Sequence, residues 1–423
     1  MREMKDSGIE WIGAIPTTWH TQKMKYISNF IQNKYSNDYG LLPYIGLENI
    51  ASWSGSFIST NSQYDREQSL ICEPEDILFG KLRPYLAKVY MNDRLCCCSN
   101  EFAVIRVNGQ NKRYMWYQLL SHGFIFEIDR STYGTKMPRA NVEFIRNVFV
   151  ALPSEIEQQK IANYLDKMCA EIDTVLEKTR ASIEEYKKLK QAVITQAVTK
   201  GIRGDRPMKN SGIEWIGDIP AEWEIRKIFR AINKVGDIDH YMPDSVDDGI
   251  PYLMTGDLQE KLSDVNLKRC KKVSFQDYEM LSSKIRVSKG DVIFARYATI
   301  GTVCFVDTED NILVSYACLI IKPNSSLLYG EFLFYYLKST AFLEEIKQYI
   351  KANTQANVGL DSVSKAKIVL PSVHEQQKIV EYLRDKCKKI DALIAKKQQY
   401  LTEIENYKKS LIYEYVTGKK EVV

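Results

Sequence analysis

The sequence predicts an α+β protein of two similar halves, in which each half is a globular domain followed by one long α-helix. Three observations predict this fold. A segment of 16 residues occurs twice, short apolar runs typical of β-strands follow each copy, and an uninterrupted helical pattern ends each half. The length of 423 residues agrees with more than one domain, because a single hydrophobic core rarely extends over such a chain.

Two repeated segments define the duplication. Residues 4–19 (MKDSGIEWIGAIPTTW) return as 208–223 with 12 of 16 positions identical, at an offset of 204. Residues 152–161 (LPSEIEQQKI) return as 370–379 with 8 of 10 positions identical, at an offset of 218. We call 4–19 and 208–223 the leading segments. Each contains two tryptophans, which we expect to pack within a frame common to both halves: Trp11, Trp19, Trp215 and Trp223.

The sequences between the repeats predict the globular domains. Runs such as DILFG and FAVIRV, broken by Gly, Pro, Asn and Asp, are typical of short strands joined by loops. One helix per half is predicted over RYMWYQLLSHGFIFEI and YGEFLFYYLKSTAFLEEI. The apolar positions persist in both halves while the polar residues differ. This pattern suggests a common frame that carries two different recognition surfaces.

The long helices begin after Ser154 and Ser372. From there, apolar residues recur at intervals of three and four, and no Pro or Gly interrupts the pattern before Gly201 and Gly418. Each serine is predicted to cap its helix, with a glutamate three residues later that completes a capping box. One small domain cannot bury a stripe this long and narrow, so we expect the two helices to pack against each other as a coiled coil.

These signals divide the chain into four segments. We expect the first globular domain at 1–153, the first long helix at 154–200, the second globular domain with its linker at 201–371, and the second long helix at 372–423. The linker GIRGDRPMKN is polar and contains Gly and Pro, as a turn between two halves requires.

Composition and charge narrow the class of protein. The formal net charge is +4, from 58 basic and 54 acidic residues, so a nucleic-acid partner would need locally concentrated positive charge. No apolar run approaches the roughly 18 residues of a membrane span, and the charged start is unlike a secretory signal, which predicts a cytoplasmic protein without membrane contact. Nine cysteines without a CxxC pair, and four widely separated histidines, predict reduced, packed thiols and no metal site.

Motifs of catalysis are missing from the sequence. It contains no P-loop, no adenine-methyltransferase motif of the NPPY or DPPY type, no glycine-rich turn for S-adenosylmethionine, and neither HExxH nor GxSxG. We therefore predict no catalytic residue and no bound cofactor. Together with the duplication, this favours a binding scaffold.

The motifs, taken in order, resemble those of the specificity subunit of a type I restriction–modification system. They are SGIEWIGxIPxxW, YIGLENI, the GDVIF and ATIG stretch, TQANV, and LPSxxEQQKI followed by IDxLI and VTKG or VTGK. The resemblance covers essentially the whole chain, and the set is far more specific than any single motif.

The resemblance implies a non-catalytic DNA-recognition subunit. Each globular domain would be a target-recognition domain that binds one half of a split, asymmetric sequence in double-stranded DNA. The long helices would pack as an antiparallel coiled coil with internal pseudo-two-fold symmetry and set the spacing of the half-sites. The implied partners are two methyltransferase subunits, which methylate adenine N6 with S-adenosylmethionine, and restriction subunits, which use ATP and Mg. These cofactors belong to the partners and not to this chain.

The candidate DNA contacts are basic, amide and aromatic residues in loops at the ends of predicted strands. Arg and Lys suit guanine or phosphate, and Gln and Asn suit adenine. In the first half the candidates are Lys81, Arg83, Tyr85, Lys136 and Arg139, and in the second half they are Arg296, Tyr297, Lys351, Gln355 and Asn357. Tyr85 and Tyr297 have an equal alternative as core aromatics.

Two other functions stay open from the sequence. The main alternative is a coiled-coil interaction scaffold that does not read DNA, because the long helices by themselves suit such a role. A self-contained DNA-modifying enzyme is the other, and it would have to bind S-adenosylmethionine or a nucleotide on its own.

Overall fold

The computed structural model describes residues 2–36, 40–60, 68–134, 136–297, 299–349 and 357–422. In the first half, short strands alternate with loops and short helices until the long helix begins. The strands are β1 (Met4–Asp6), β2 (Ala14–Pro16), β3 (His20–Lys23), β4 (Ser28–Ile31), β5 (Tyr44–Ile45), β6 (Leu70–Cys72), β7 (Ile77–Gly80), β8 (Val89–Met91), β9 (Cys96–Cys98), β10 (Phe102–Val107) and β11 (Phe149–Leu152). The helices are α1 (Met24–Ile27), α2 (Lys112–Leu120), α3 (His122–Arg130), α4 (Val142–Asn147) and α5 (Glu155–Lys200).

The second half repeats this arrangement. Its strands are β12 (Met208–Asn210), β13 (Asp218–Pro220), β14 (Glu224–Lys227), β15 (Ile232–Gly236), β16 (Ile250–Leu253), β17 (Lys271–Val273), β18 (Val292–Ala295), β19 (Val303–Phe305), β20 (Leu313–Val314), β21 (Cys318–Pro323) and β22 (Lys367–Leu370). Its helices are α6 (Phe275–Ser282), α7 (Gly330–Lys338), α8 (Thr340–Lys347), α9 (Leu360–Lys365) and α10 (Val373–Val416). Across the described residues, no helix combines the length and the apolar character that a membrane span needs.

The same antiparallel four-stranded sheet occurs in both halves. Its strand order is β4-β10-β7-β8 in the first half and β15-β21-β18-β19 in the second. In the first half, Ile77 and Phe79 of β7 share a buried cluster with α2 and α3, whereas Leu78 belongs to a cluster with β5, β6 and β9. Because successive residues of a strand point to opposite faces, the continuous apolar run ILFG is buried on both faces.

The smaller three-stranded sheets differ between the halves. Each contains one parallel pair, β5 with β9 in the first half and β16 with β20 in the second. The third strand of the first half, β6, pairs antiparallel with β9, whereas the third strand of the second half, β17, pairs antiparallel with β16. The third strand is thus added to opposite edges of the parallel pair. The divergence between the repeats therefore extends to strand topology.

The chain forms two compact units, and each unit contains parts of both long helices. One unit comprises Met1–Arg180 together with Gln399–Val423, and the other comprises Ala181–Gln398. Each globular domain is thus grouped with the beginning of the helix that follows it and with the end of the other long helix.

In the first unit, α5 and α10 run antiparallel. Lys408 Nζ lies 2.6 Å from Asp173 Oδ1, and Arg180 Nη2 lies 2.6 Å from Glu405 Oε1. The residue number rises along α5 as it falls along α10, as antiparallel packing requires. The expected pairing of the two long helices is confirmed.

The second unit repeats one of these ion pairs. Lys190 Nζ lies 2.8 Å from Asp391 Oδ2. Lys190 and Asp391 are each 218 positions from Lys408 and Asp173, the offset of the second repeat. The side chains of Lys408 and Lys190 are only 9% and 16% exposed, so both lysines are largely removed from water. Equivalent residues therefore form the same ion pair in both units, as the duplication leads us to expect.

One carboxylate at the start of each long helix holds the leading segment of its half. Trp19 donates its indole Nε1–H to Glu157 Oε2 at 3.1 Å, and Trp223 donates to Glu375 Oε2 at 2.9 Å. Both tryptophans are 1% exposed and Trp11 is 7% exposed, so these three pack as predicted. Trp215 is 37% exposed, and for this residue the prediction of frame packing was wrong. An arginine forms an ion pair with the same carboxylate in each unit, Arg2 in the first and Arg206 in the second.

This contact changes the predicted capping boxes. Ser154 Oγ accepts the backbone N–H of Glu157 at 3.4 Å, and Ser372 Oγ accepts that of Glu375 at 3.3 Å. The serine caps of the prediction are therefore present. The glutamate side chains, however, bind the tryptophan of the leading segment and the arginine two residues before that segment, so the helix start also acts as a tertiary contact.

Each predicted single helix of the globular domains is two helices, and that prediction was wrong. The helices α2 and α3 are separated by Ser121, and α7 and α8 by Ser339, with extended ψ angles of 143° and 151°. The serine hydroxyls accept the backbone N–H of Phe124 and of Phe342 and so cap the second helix of each pair. The apolar periodicity continues through these serines, and the sequence pattern therefore hides the break.

The cysteines are packed as predicted. All nine are free thiols, and eight of them are buried. Burial raises the pKa of Cys304 and of Cys318 to about 12, so both thiols are protonated at neutral pH.

Replacing Trp223 with Phe keeps an aromatic ring in the core but removes the hydrogen-bond donor to Glu375. The carboxylate loses a charge-assisted hydrogen bond, so we expect the free energy of unfolding to fall by about 2 kcal/mol in urea denaturation. Trp215→Phe is the matched control because Trp215 is 37% exposed, and its expected loss is below about 0.5 kcal/mol. Equal losses in the two variants would contradict the proposed contact.

Candidate nucleic-acid interface

In the first unit, two of the predicted loops lie side by side where the interior strand β7 ends. The backbone C=O of Lys81 accepts the N–H of Ala140 at 2.9 Å, and the N–H of Arg83 donates to the C=O of Pro138 at 2.7 Å. The loop after β7 and the loop before α4 are therefore joined into one surface, although they are far apart in the sequence.

The side chains of this surface are basic and aromatic. Arg83, Tyr85, Lys136 and Arg139 are all exposed. Tyr85 is 44% exposed, so its alternative as a core aromatic does not hold.

The loop after β7 has an unusual backbone. Arg83 and Ala87 have left-handed φ angles of 50° and 47°, and they flank the 3-10 turn Pro84–Leu86. Residues other than glycine adopt this conformation infrequently. The neighbouring loop stabilises it, because the N–H of Arg83 is one of the donors that join the two loops. Strained backbone of this kind is often found at binding sites.

Lys81 is half-buried beneath the surface. Desolvation lowers the pKa of its ammonium group, Glu101 opposes this effect, and the positive charge of Arg139 adds to it. Glu101 Oε1 also lies 2.5 Å from Arg139 Nη2. Glu101 therefore neutralises part of the positive charge and orients Arg139.

The second unit has the same backbone arrangement. Arg296 follows β18 as Lys81 follows β7, and its C=O accepts the N–H of Val358 at 3.1 Å. Tyr297 and Asn357 form an isolated antiparallel β-bridge next to this hydrogen bond. Two loops that are distant in the sequence are again joined at the end of an interior strand.

The side chain of Arg296 points into the unit. Its guanidinium lies 2.6 Å from Asp237 Oδ2 and 3.1 Å from His240 Nε2, and its Nε–H donates to the C=O of Tyr316 at 3.2 Å. The side chain is 9% exposed, and the guanidinium lies 5.0 Å from the ring centroid of Tyr297. Arg296 therefore supports the loop from beneath.

The remaining candidates of the second half are placed differently. Tyr297 and Asn357 are half-buried at the β-bridge. Lys351 and Gln355 lie outside the described residues.

Sequence reasoning missed the acidic residues that hold these cations. Glu101 lies directly before β10, and Asp237 lies directly after β15. The sequence signal for these residues was an acidic residue at the end of a predicted strand. This signal does not identify the partner cation, because the order of the strands in the sheet brings the acids to the cations and is not visible in the sequence.

Comparison with known proteins assigns the family. The family profile described as "Type I restriction modification DNA specificity domain" matches residues 16–185 and 220–406, one match in each half. The chain belongs to this family. It is a type I restriction–modification DNA specificity subunit, and its role in that system is non-catalytic.

Two curated relatives extend over most of the chain. The specificity subunit of the type I restriction enzyme EcoBI from Escherichia coli is 21% identical over 99% of this chain and 90% of its own length. The specificity subunit of the type I restriction enzyme MjaVIII from Methanocaldococcus jannaschii is 26% identical over 75% of this chain and 73% of its own length.

The fold also matches a solved structure. A chain from a structure described as "Structural basis underlying complex assembly and conformational transition of the type I R-M system" superposes with a TM-score of 0.74. The identity is 17%, and the match covers 96% of this specificity subunit and 99% of that chain. This likeness supports the α+β fold with its two paired long helices.

Replacing Asp237 with Asn would leave the buried guanidinium of Arg296 without its carboxylate. We expect the free energy of unfolding to fall by about 2 kcal/mol, because an uncompensated buried charge is strongly unfavourable. Asp239→Asn is the control, because the ion pair of Asp239 with Lys284 is about 60% exposed on both sides and contributes little. Chemical denaturation of both variants measures the difference, and a stable Asp237 variant would refute the supporting role of this pair.

Proposed function

We propose that each unit of this specificity subunit reads one half of a split DNA target at the surface where β7 or β18 ends. The observation that most supports this is the backbone hydrogen bonding that joins, in both units, the two loops that carry the candidate residues. In the first unit the proposed DNA contacts are Lys81, Arg83, Tyr85, Lys136 and Arg139. In the second unit they are Tyr297, Lys351, Gln355 and Asn357, with Arg296 as a positioning residue next to Tyr297.

The different chemistry of the two surfaces supports an asymmetric target. Arg83, Lys136 and Arg139 are exposed cations on the first surface. On the second surface, the guanidinium of Arg296 is buried beside Asp237. Arginine suits guanine or phosphate, whereas asparagine and glutamine suit adenine. Two unlike readers recognise two unlike half-sites, whereas a symmetric dimer recognises a palindrome.

Substitution in one unit should change only one half-site. For Arg83→Gln we expect weaker discrimination at one base pair of the first half-site, by roughly 5- to 150-fold, with the second half-site unchanged. For Asn357→Ala we expect weaker discrimination at the second half-site, with the first half-site unchanged. Methylation-sensitive sequencing of cells that express the complete complex measures both half-sites.

Arg94→Gln is the matched control for this experiment. The side chain of Arg94 is 64% exposed and forms an ion pair with its neighbour Asp93, away from the joined loops. We expect the control to leave both half-sites unchanged. A change in both half-sites after a substitution in one unit would contradict the proposal of separate readers.

Exposed apolar residues on the long helices support the binding of two copies of a partner, one at each unit. Val175 and Tyr407 are 40% and 50% exposed in the first unit, and their equivalents at the offset of 218, Leu393 and Leu189, are 43% and 47% exposed in the second. In each unit the two positions lie at the same level of the antiparallel helices, close to the Asp173–Lys408 pair or its equivalent. Exposed apolar patches are typical of protein interfaces.

The partners that we propose for these patches are two methyltransferase subunits, one at each unit. They would methylate adenine N6 with S-adenosylmethionine, while this chain holds the DNA. Restriction subunits with their own ATP and Mg would join the same assembly. Because the target is cellular DNA, a cytoplasmic location is part of this proposal.

The double variant Val175→Ser, Tyr407→Ser should weaken binding of the methyltransferase. We expect a loss of affinity of about 10-fold or more, because exposed aliphatic and aromatic anchors carry much of the binding energy of an interface. Calorimetric titration of the purified full-length chain with its methyltransferase subunit measures the affinity. Tyr400→Ser is the control, since Tyr400 is 47% exposed and its equivalent in the first helix is already Ser182. An equal loss in the control would remove the support for these patches.

A further inference from the structure

The most informative difference between the two frames is a reversal of charge. At the offset of 218, Arg113 on α2 corresponds to Glu331 on α7, and Asp166 on α5 corresponds to Arg384 on α10. The first position exchanges a cation for an anion, and the second exchanges an anion for a cation. In each half, the globular domain and the beginning of the following long helix are joined by an ion pair of opposite polarity.

In the first unit the globular domain supplies the cation. Arg113 Nε lies 2.7 Å from Asp166 Oδ1, and Tyr117 donates its hydroxyl hydrogen to the same oxygen at 2.8 Å. The guanidinium carbon of Arg113 also lies 4.1 Å from the ring centroid of Trp116. Both partners of the ion pair are about one third exposed or more, so this pair faces water on one side.

In the second unit the globular domain supplies the anion. Arg384 Nε lies 2.7 Å from Glu331 Oε1, and its Nη2 contacts the other carboxylate oxygen, so the pair is bidentate. The side chain of Glu331 is 1% exposed, and Lys261 is the next cation, at 4.0 Å. Arg384 therefore supplies most of the positive charge that neutralises the buried carboxylate of Glu331.

Other contacts of the frame keep their residues in both halves. Gln158 accepts the backbone N–H of Asn111 at 2.9 Å, and its equivalent Gln376 accepts that of Tyr329 at 2.7 Å. The carboxylate contacts of the two tryptophans described above are also the same. Because these contacts are the same in both halves, they can form between either globular domain and either helix. The reversed ion pairs can form only between a globular domain and its own helix.

We propose that the reversed ion pairs assign each globular domain to the beginning of its own long helix, so that a reading domain is exchanged productively only together with that part of the helix. A mismatched exchange would set Glu331 beside Asp166, or Arg113 beside Arg384. The first case is the more harmful, because it leaves a buried carboxylate next to a second carboxylate. A change of DNA specificity on domain exchange rests on the proposed function. The matching of each globular domain to its own helix by these ion pairs, which we call the pairing rule, does not rest on it.

Two full-length chimeras test the assignment. In chimera A, residues 20–152 are replaced by 224–370, so that Glu331 meets Asp166. In chimera B, residues 20–170 are replaced by 224–388, so that the original partner Arg384 is carried along. The two chimeras carry the same second domain in the first position and differ only in whether residues 153–170 or 371–388 follow it. We expect chimera A to melt at least about 5 °C below chimera B and to give less soluble protein.

A single substitution in chimera A separates this ion pair from the other differences between residues 153–170 and 371–388. Chimera A with Asp166→Arg should recover at least half of the lost melting temperature. Equal melting of chimeras A and B, or no recovery with Asp166→Arg, would overturn the proposal. If chimera B folds but its methylated half-site does not change, the proposed DNA reading fails while the pairing rule stands.

The unchanged chain provides a second measurement. Asp166→Arg alone sets two arginines side by side and should lower the melting temperature, whereas Arg113→Glu together with Asp166→Arg recreates the polarity of the second unit and should restore it. Glu405→Arg is the control, because its ion pair with Arg180 is 44% and 59% exposed and a like charge there should shift melting by less than about 2 °C. A double variant no more stable than Asp166→Arg alone would also contradict the pairing rule.

Discussion

The carboxylate near the start of each long helix is the contact on which the rest of each half depends. Glu157 accepts the indole N–H hydrogen bond of Trp19, forms an ion pair with Arg2, and lies one turn from the serine that caps the helix. One side chain therefore joins the beginning of the globular domain to the helix that follows its end. Because β3 and β11, like β14 and β22, pair next to this point, the variable sequence between them begins and ends at a fixed place.

This arrangement explains how one frame can carry the two different surfaces that we propose for DNA recognition. The four-stranded sheet keeps its strand order in both units, while the third strand of the smaller sheet changes edge. At the end of the interior strand, an equivalent backbone hydrogen bond joins two loops in each unit, but the side chain of the cation that follows the strand is placed differently. Lys81 lies beneath exposed arginines, whereas the side chain of Arg296 is held inside by Asp237. The backbone arrangement is the same in both units and the placement of charge is not, which agrees with the proposal that the two units read unlike half-sites.

The charges on the long helices divide into two kinds. The pairs Asp173–Lys408 and Lys190–Asp391 are equivalent and identical, so they stabilise antiparallel packing in the same way in both units. The pairs Arg113–Asp166 and Glu331–Arg384 are equivalent in position but opposite in polarity, so they distinguish one globular domain from the other. Ion pairs of the second kind restrict which domain a helix accepts, because the mismatched combination is repulsive and partly buried.

Local patterns were enough for the duplication, the two long helices and their serine caps, since periodicity and capping depend on residues a few positions apart. The same local reasoning wrongly predicted α2 and α3, and α7 and α8, as single helices. The apolar spacing continues through Ser121 and Ser339, whereas the break depends on a hydrogen bond to the serine hydroxyl. Local reasoning also found the loops at the strand ends, including Lys81 and Arg296, but not that these loops meet a second loop. Only the tertiary structure decided that Glu157 binds Trp19 and that Asp237 neutralises Arg296. It alone also showed that Arg113 pairs with Asp166 and Glu331 with Arg384. These partners are far apart in the chain, and sheet order and helix packing bring them together.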